Sequence, residues 1–411
     1  MSNIFNENLS KYAELVVKVG VNIQKYQFLY ISASTDALDL ARLITKKAYE
    51  AGARQVFVDL ADDQIGRARY ELAPEDSFDF FPEWKVKERE WLAEQGAAFV
   101  SIVSQSPDLL KGIDSKRIAT FQKAAGTALN KYRQYVQSDK ISWTVIASPS
   151  EAWAEKVFPN LPKEKQVDAL WDAIFKATRS DLENPVEAWT KHNDTLHEKV
   201  HYLNAKKYAK LHYTAPGTDL TIELPKGHLW CGAGSVNEKG EEFMANMPTE
   251  EVFTVPHKDG VNGYVSSTKP LSYGGNIIDN FKITFENGRI TKVEAEQGEE
   301  VLKNLVATDE GSHRLGEVAL VPHDSPISNS GLLFYNTLFD ENASNHLAIG
   351  SAYAFCLEGG KKMNREELEA NGLNQSITHV DFMIGSAEMN IDGITEDGKT
   401  EPVFRNGNWA F

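Results

Sequence analysis

Two different patterns of apolar residues follow each other along the chain, and they constrain its fold more than any other feature. Up to about residue 180, short continuous apolar segments alternate with helical periodicity. The sequence predicts strands at 28–33, 55–60, 97–103 and 143–147, with helices between them. Continuous apolar strands separated by helices are typical of a parallel sheet covered on both faces. We therefore predict an α/β N-terminal domain with a mostly parallel sheet.

Beyond about residue 210 the pattern changes to short alternating strands, turns and glycines. A strand is predicted at 219–224, and Asn287-Gly288 predicts a tight hairpin within 281–293. The intervening segment 163–208 is predicted to be mostly helical. A chain of 411 residues is long enough for two domains. We predict an α/β domain with linking helices at 1–205 and an α+β catalytic domain at 206–411.

Charge and cysteine content exclude several classes of partner. The chain has 43 basic and 59 acidic residues and a net charge of -16, which repels phosphate backbones and anionic membrane surfaces. We therefore expect no nucleic-acid partner and no membrane partner. Two cysteines far apart, Cys231 and Cys356, and no apolar stretch of about 20 residues fit a reduced, cytoplasmic protein. The turn after the first predicted strand, 32–36, lacks a glycine-rich phosphate loop.

One short motif resembles a zinc-peptidase signature. His197 and His201 are one helical turn apart and enclose Glu198, as in zincins. The surrounding residues are polar on most sides, and no acidic helix follows to supply a third ligand. We therefore interpret this stretch as an exposed surface helix.

Metal-capable side chains in the second half have a more informative spacing. His379 and Asp381 alternate with apolar residues, so they share one face of a predicted strand. Glu317 lies in an otherwise apolar strand, where burial penalises a carboxylate that nothing pairs with. The pleat places Glu250 and Glu251 on opposite faces, so only one of them is expected to point inward.

A predicted helix from about residue 345, capped by Ser344, places His346 and Tyr353 on one side, with Glu341 just ahead of the cap. Each of these residues also has a structural interpretation: a satisfied core histidine, an edge-strand glutamate or a packed tyrosine. Taken together, three carboxylates and two imidazoles exceed the usual ligand set of one catalytic zinc. Two metal ions that share one carboxylate would give all five of these side chains a role as ligands.

The segments that contain these residues resemble the aminopeptidase T family of metallo-aminopeptidases, and in particular its aminopeptidase S branch. The most specific matches are NMPTEEVFT at 246–254, RLGEVALV at 314–321, LFDENASNH at 338–346 and THVDFMIG at 378–385. The resemblance spans nearly the whole chain. It implies metal ligands at Glu251, Glu317, His346, His379 and Asp381, with Tyr353 beside or on the metals and Glu341 as a further ligand.

The resemblance also implies an α/β N-terminal domain, a metal-bearing C-terminal domain and a homodimer. Zinc, cobalt or magnesium is the expected metal, with two divalent ions per site. The predicted function is removal of N-terminal residues from peptides that have a free N-terminus, by a water activated at a dinuclear centre. Tyr353 is the predicted oxyanion donor, and Glu317, Glu250 and Glu341 are alternative general bases.

Two alternatives belong to other classes. In the first, His346, His379 and Asp381 form the two-histidine, one-carboxylate face of a mononuclear non-haem iron enzyme. This alternative leaves Glu251 and Glu317 without a role. In the second, the protein is a non-catalytic binding module built on its α/β half. Metal content and peptide hydrolysis distinguish the three hypotheses.

Overall fold

The computed structural model describes residues 3–411, and the chain divides into two compact units. The first comprises the residues up to Asn193 and the segment Gly234–Thr249, and the second comprises Asp194–Ala233 and Glu250–Phe411. The first change of unit falls inside a continuous helix, where the sequence has no linker. The predicted domain ranges 1–205 and 206–411 differ from these units, because the units change at Asn193 and because Gly234–Thr249 returns to the first unit. The ranges stay a prediction.

The helices and strands follow in chain order. The α-helices are α1 Asn3–Leu15, α2 Leu38–Glu50, α3 Asp63–Leu72, α4 Glu83–Glu94, α5 Ser115–Ala128, α6 Asn130–Gln137, α7 Glu151–Val157, α8 Lys163–Ala177, α9 Pro185–Lys206, α10 Glu299–Val306, α11 Pro326–Asn329, α12 Thr337–Asp340 and α13 Arg365–Ala370. The strands are β1 Phe28–Ser34, β2 Gln55–Ala61, β3 Ala98–Val103, β4 Trp143–Ala147, β5 Lys210–Ala215, β6 Thr218–Glu223, β7 Cys231–Gly232, β8 Ser235–Val236, β9 Glu242–Phe243, β10 Val252–Thr254, β11 Val261–Ser266, β12 Leu271–Tyr273, β13 Asn276–Glu286, β14 Arg289–Gln297, β15 Leu315–Leu320, β16 His346–Gly350, β17 His379–Met383, β18 Asn390–Ile394, β19 Thr400–Arg405 and β20 Asn408–Trp409.

The first unit is built on a parallel sheet. Its four strands have the order β2-β1-β3-β4, and every pairing between them is parallel. Each of the four predicted apolar segments is a strand, with ends within one residue of the prediction. The α/β fold of the N-terminal part is therefore confirmed.

The edge strand β2 departs from the prediction that both faces of this sheet are covered. Val58 and Leu60 are 43% and 41% exposed, whereas most residues of β1 are buried. β2 pairs with β1 alone, and an edge strand has neighbours on one side only. An apolar sequence therefore does not guarantee burial at this edge.

The second unit contains two antiparallel sheets that share one core. The smaller sheet has the order β17-β16-β15-β10-β7, and the larger one runs β12-β13-β11-β6-β5-β18-β19-β20, with β14 paired to β13. Side chains of both sheets, including Leu220, Phe281, Val318 and Phe382, belong to one buried apolar cluster. The ring centroids of Phe281 and Phe382 are 5.7 Å apart. The predicted change to short strands and turns after residue 210 is confirmed.

The predicted hairpin at Asn287-Gly288 joins β13 and β14. The backbone φ angles of Asn287 and Gly288 are 50° and 78°, and positive φ at both central residues is the requirement of a type I′ turn. A Cβ atom on Gly288 would lie 1.8 Å from the carbonyl oxygen of Lys258. Only glycine fits at the second position of this turn.

The prediction of a helix from residue 345 is wrong. Residues His346–Gly350 form β16, which pairs with β15 on one side and β17 on the other. The Ser344 hydroxyl caps no helix and donates instead to the carbonyl oxygens of Asn345 and Gly385. The buried apolar residues of this segment fit a central strand as well as a helix, and only the two neighbouring strands decide between them.

Within residues 3–411, no helix combines the length and the apolar composition that crossing a membrane requires.

Candidate metal centre

One face of the five-stranded sheet carries carboxylates and imidazoles from three adjacent strands. Ala348 on β16 pairs with Glu317 on β15 and with Asp381 on β17. His346 and His379 lie two residues from Ala348 and Asp381 along their strands. Paired residues of an antiparallel sheet, and residues two apart on a strand, point to the same face. The register therefore brings these four polar side chains together.

The opposite face of the same strands is apolar. Val318, Leu347 and Phe382 alternate with the polar residues and are buried in the core that both sheets share. Because this face packs against the core, shifting the register of a strand by one residue would bury its polar side chains in the core and expose its apolar ones. The core thus fixes the register that assembles the polar face.

The side chains form two groups that share one member. Glu251, Glu317 and His346 make up the first group and Glu317, His379 and Asp381 the second, each with its possible ligand atoms within 4.8 Å of one another. Glu317 Oε1 lies 3.7 Å from His346 Nε2, and Glu317 Oε2 lies 3.2 Å from His379 Nε2. His346 Nε2 is also 3.0 Å from Glu251 Oε2. Glu317 therefore presents one oxygen to each group.

Both imidazoles are oriented by backbone carbonyls. His346 Nδ1 lies 3.0 Å from the carbonyl oxygen of Glu341 and 3.1 Å from that of Ser344. His379 Nδ1 lies 2.8 Å from the carbonyl oxygen of Ser351. Because a carbonyl only accepts, each Nδ1 carries the hydrogen and each Nε2 faces the carboxylates. This is the arrangement by which proteins orient metal-ligating histidines.

The electrostatics of the cluster require positive charge. Burial alone would lower the pKa of His346, but the carboxylates of Glu251 and Glu317 raise it well above its usual value. Burial raises the pKa of the Glu251 carboxyl. For Asp381, burial acts to raise the pKa, but His379 lowers it below its usual value. Carboxylates buried this closely need cations between them or on the imidazoles.

Three further predicted residues are not members of the two groups. Glu341 lies in a buried turn, and burial together with the charges of Asp381 and Glu251 raises the pKa of its carboxyl well above the usual value. Glu250 is buried as well, with its backbone N–H donating to Asn342 Oδ1. Glu250 and Glu251 are both buried, and of the two only Glu251 belongs to a group of possible ligands. The Tyr353 ring lies 4.9 Å from the His379 ring.

One structural observation, in addition to the residue types, indicates that this cluster can bind a divalent cation. Asp381 Oδ1 is a buried atom with no hydrogen-bond partner within residues 3–411, and His379 Nε2 lies 3.6 Å from it. A buried carboxylate oxygen without a partner is costly. A divalent metal ion would supply the missing partner, and carboxylates and imidazoles together are a common donor set for such ions.

The zincin-like motif lies elsewhere. His197, Glu198 and His201 are on α9, where Glu198 and His201 are exposed and the buried face consists of apolar residues. Neither group of possible ligands found among residues 3–411 includes them. The interpretation as a surface helix agrees with this placement.

Sequence reasoning missed the residues that support the imidazoles. Ser351 acts through its backbone carbonyl, which has no sequence signature. Asn374 is 3% exposed, and its Nδ2 donates to the carbonyl oxygens of Gly311 at 2.7 Å and Gly350 at 2.6 Å. A buried asparagine between two loops is recognisable only when the loops are seen together.

Comparison with known proteins decides the family. The family profile described as "Thermophilic metalloprotease (M29)" matches residues 5–409. This chain belongs to the M29 family of metalloproteases. The chain is 67% identical to aminopeptidase AmpS of Bacillus subtilis over 407 residues, which cover 99% of both chains. It is 44% identical to aminopeptidase T of Thermus thermophilus over 406 residues, again 99% of both.

The solved structure of wild-type AmpT from Thermus thermophilus has the same fold. It matches with a TM-score of 0.93 and 43% identity and covers 99% of this chain and 100% of that chain. The family and these relatives make the chain a metal-dependent aminopeptidase, a hydrolase, as the resemblance implied. The family also implies peptide substrates and a divalent metal.

Proposed function

We propose that this M29 aminopeptidase uses two divalent metal ions that share Glu317. One observation carries the proposal: the two oxygens of Glu317 face two different imidazoles, at 3.7 Å and 3.2 Å. Glu251 and His346 would complete one site, and His379 and Asp381 the other. A carboxylate shared in this way is typical of two-metal hydrolytic centres.

When bound, such metals lower the pKa of a water molecule and polarise the scissile carbonyl of the peptide. The chain's own residues supply proton transfer and charge stabilisation. Glu341 is our candidate proton acceptor, because the charges of residues from both groups act on its buried carboxyl, and it belongs to neither group. A carboxylate placed beside the reacting water can accept its proton and pass it to the leaving amine. Glu250 and Glu317 remain the alternatives.

Tyr353 has the properties of an oxyanion donor. Positive charge on His379 acts to lower its pKa, but burial and the carboxylates of Glu317 and Asp381 outweigh this and raise it. The hydroxyl therefore keeps its proton at neutral pH and can donate to a developing oxyanion. We expect Tyr353→Phe to reduce kcat more than it raises KM.

The test is metal stoichiometry together with activity. We expect two metal ions per chain in the purified enzyme, loss of leucine p-nitroanilide hydrolysis on chelation, and recovery with zinc, cobalt or magnesium. Glu317→Gln should weaken both sites, whereas His379→Ala should weaken one. Retention of a single iron atom would instead support the mononuclear alternative. The structure speaks against that alternative, because His346 belongs to one group of possible ligands and His379 and Asp381 belong to the other.

We also propose a homodimer that works in the cytoplasm. The resemblance to the aminopeptidase S branch supports the dimer, and the free thiols of Cys231 and Cys356 support a reducing compartment. Sedimentation equilibrium of the metal-loaded enzyme tests the dimer, and a mass of about 46 kDa, that of one chain, would contradict it.

A further inference from the structure

Polar residues follow three neighbouring strands of the parallel sheet in the first unit, at the edge where those strands end. Asp36 follows β1, Asp62 and Asp63 follow β2, and Ser104 follows β3. In the order β2-β1-β3-β4 the chain leaves β1 toward β2 on one side, and β3 lies on the other. Open parallel sheets bind ligands beyond the carboxyl ends of their strands at such a point. These four residues are called the strand-end cluster below.

Hydrogen bonds hold the loops of the strand-end cluster together. The Thr35 hydroxyl donates to Asp62 Oδ2 at 3.0 Å, and the backbone N–H of Ser106 donates to Asp63 Oδ2 at 3.3 Å. The second bond carries the loop after β3 across the end of β1, because β1 lies between β2 and β3. The loops that follow the three strands therefore enclose one space.

The carboxylates of the strand-end cluster are close enough to repel one another. Burial raises the pKa of Asp63 above its usual value, and the negative charges of Asp36 and Asp62 raise it further. Within residues 3–411, no lysine, arginine or histidine forms an ion pair with Asp63. Negative charge concentrated in this way favours a positively charged ligand.

The side chain of Ser104 gives an independent indication of a ligand. It is 1% exposed, and its hydroxyl has no hydrogen-bond partner within residues 3–411. Ala33 pairs with Ile102, and Thr35 and Ser104 each lie two residues beyond this pair. Alternation therefore places Ser104 on the face where Thr35 contacts Asp62. A buried hydroxyl without a partner is costly, and a ligand in the strand-end cluster would supply that partner.

We propose that the strand-end cluster binds one hard divalent cation, magnesium or calcium, at residues that are not part of the candidate metal centre. The cluster offers carboxylate and hydroxyl oxygens and no imidazole or thiol, and such a donor set suits these two ions. Its carboxylates are farther apart than the groups of the candidate metal centre, whose ligand atoms lie within 4.8 Å of one another. Water therefore completes the shell, as is usual for magnesium.

The experiment titrates the zinc-loaded enzyme with magnesium or calcium chloride, followed by calorimetry and by the unfolding temperature. We expect one further ion per chain and, at a concentration about ten times Kd, a rise of about 2–4 °C in the unfolding temperature. Asp63→Asn should weaken magnesium binding by about 10-fold or more.

Ser104→Ala separates a ligand from a structural residue. Its hydroxyl has no partner to lose, so the unfolding temperature without magnesium should be unchanged or higher. Magnesium binding should nevertheless weaken. Unchanged magnesium affinity in Ser104→Ala would contradict the role of its hydroxyl as a ligand.

Asp76→Asn is the matched control, because it removes an exposed carboxylate of the same unit. It should bind magnesium as the wild type does. Equal magnesium affinity in Asp63→Asn and Asp76→Asn would overturn the proposal. If Asp63→Asn does not fold, Asp36→Asn takes its place, because Asp36 is exposed.

Glu317→Gln distinguishes the two sites. The rise of the unfolding temperature with magnesium should persist in this variant, because Glu317 belongs to the other unit. Loss of the rise in Glu317→Gln would assign the magnesium ion to the candidate metal centre and overturn the proposal. Failure of the two-metal centre alone would lower peptide hydrolysis and leave the magnesium titration of the strand-end cluster unchanged.

Discussion

At the scale of single residues, the geometry of the candidate metal centre depends on groups that are not themselves candidate ligands. Both candidate histidine ligands are held at Nδ1 by backbone carbonyls, so the position of a peptide unit sets the direction of each ring. The carbonyl that orients His379 belongs to Ser351, next to Gly350. The side-chain amide of Asn374 in turn donates to the carbonyl oxygen of Gly350, and its backbone carbonyl accepts from the N–H of Ala352. We infer that Asn374 positions His379 through this segment.

Replacing Asn374 by aspartate tests this role, because the side chain keeps its size and loses both donors. Two buried carbonyls lose their partners, so we expect a loss of about 2–4 kcal/mol in the free energy of unfolding. We also expect weaker cobalt binding, followed by absorption spectroscopy, and a lower kcat with little change in KM. Asn371→Asp, at an exposed asparagine nearby, should cost less than about 1 kcal/mol. Unchanged cobalt affinity in Asn374→Asp would refute the positioning role.

At the scale of elements, a bulge in β15 sets the direction of Glu317. The register between β15 and β16 shifts between Leu315 and Glu317, so Gly316 is the extra residue. A Cβ atom on Gly316 would lie 2.3 Å from the carbonyl oxygen of Ser351 and 2.4 Å from that of Gly350. The bulge therefore requires close approach of two backbones, which glycine permits.

Gly316→Ala should displace both β15 and the segment that orients His379. We expect a destabilisation of about 1–3 kcal/mol, the usual cost of overpacking, and a fall in kcat, measured by urea unfolding and leucine p-nitroanilide hydrolysis. Gly66→Ala is the control: it lies in α3 with nothing within 4 Å of the added Cβ. That change should be neutral or stabilising by up to about 1 kcal/mol. Full activity in Gly316→Ala would show that the bulge does not govern Glu317.

At the scale of the whole molecule, resistance to acid depends on ion pairs remote from the candidate ligands. Glu401 on β19 accepts from Lys206 Nζ at the end of α9 at 2.5 Å, from Tyr208 at 3.0 Å and from Lys399. Lys206, followed by Lys399 and Tyr208, lowers the pKa of Glu401 to about 2. The folded state therefore binds this proton less readily than the unfolded chain does.

It follows that Glu401 stabilises the fold above about pH 4.5 and loses this effect as the pH falls toward 2. We expect Glu401→Gln to be less stable than the wild type at pH 6 and the difference to shrink between pH 4.5 and pH 2, in urea unfolding at each pH. Glu396→Gln, at an exposed glutamate in the adjoining turn, should show no such trend. A difference between Glu401→Gln and wild type that is constant with pH would contradict this assignment.

Local patterns of apolar and turn residues were enough to predict several features of the fold. Continuous apolar segments predicted the four parallel strands of the first unit, the Asn287-Gly288 turn signal predicted the hairpin, and alternation predicted the shared face of His379 and Asp381. Each of these features depends on residues close together in sequence. Likewise, the burial of a carboxylate at Glu317 follows from its apolar neighbours along one strand.

Which strands lie side by side was decided only by the tertiary structure. His346 lies in a strand and not in a helix because β15 and β17 pair with it, although both are far from it in sequence. The same pairings bring Glu317 between two imidazoles, and the return of Gly234–Thr249 to the first unit has no local signal either. The periodicity of apolar residues along one strand predicts the face of the sheet on which a side chain lies. The neighbour across the sheet is set by the register that the shared core imposes.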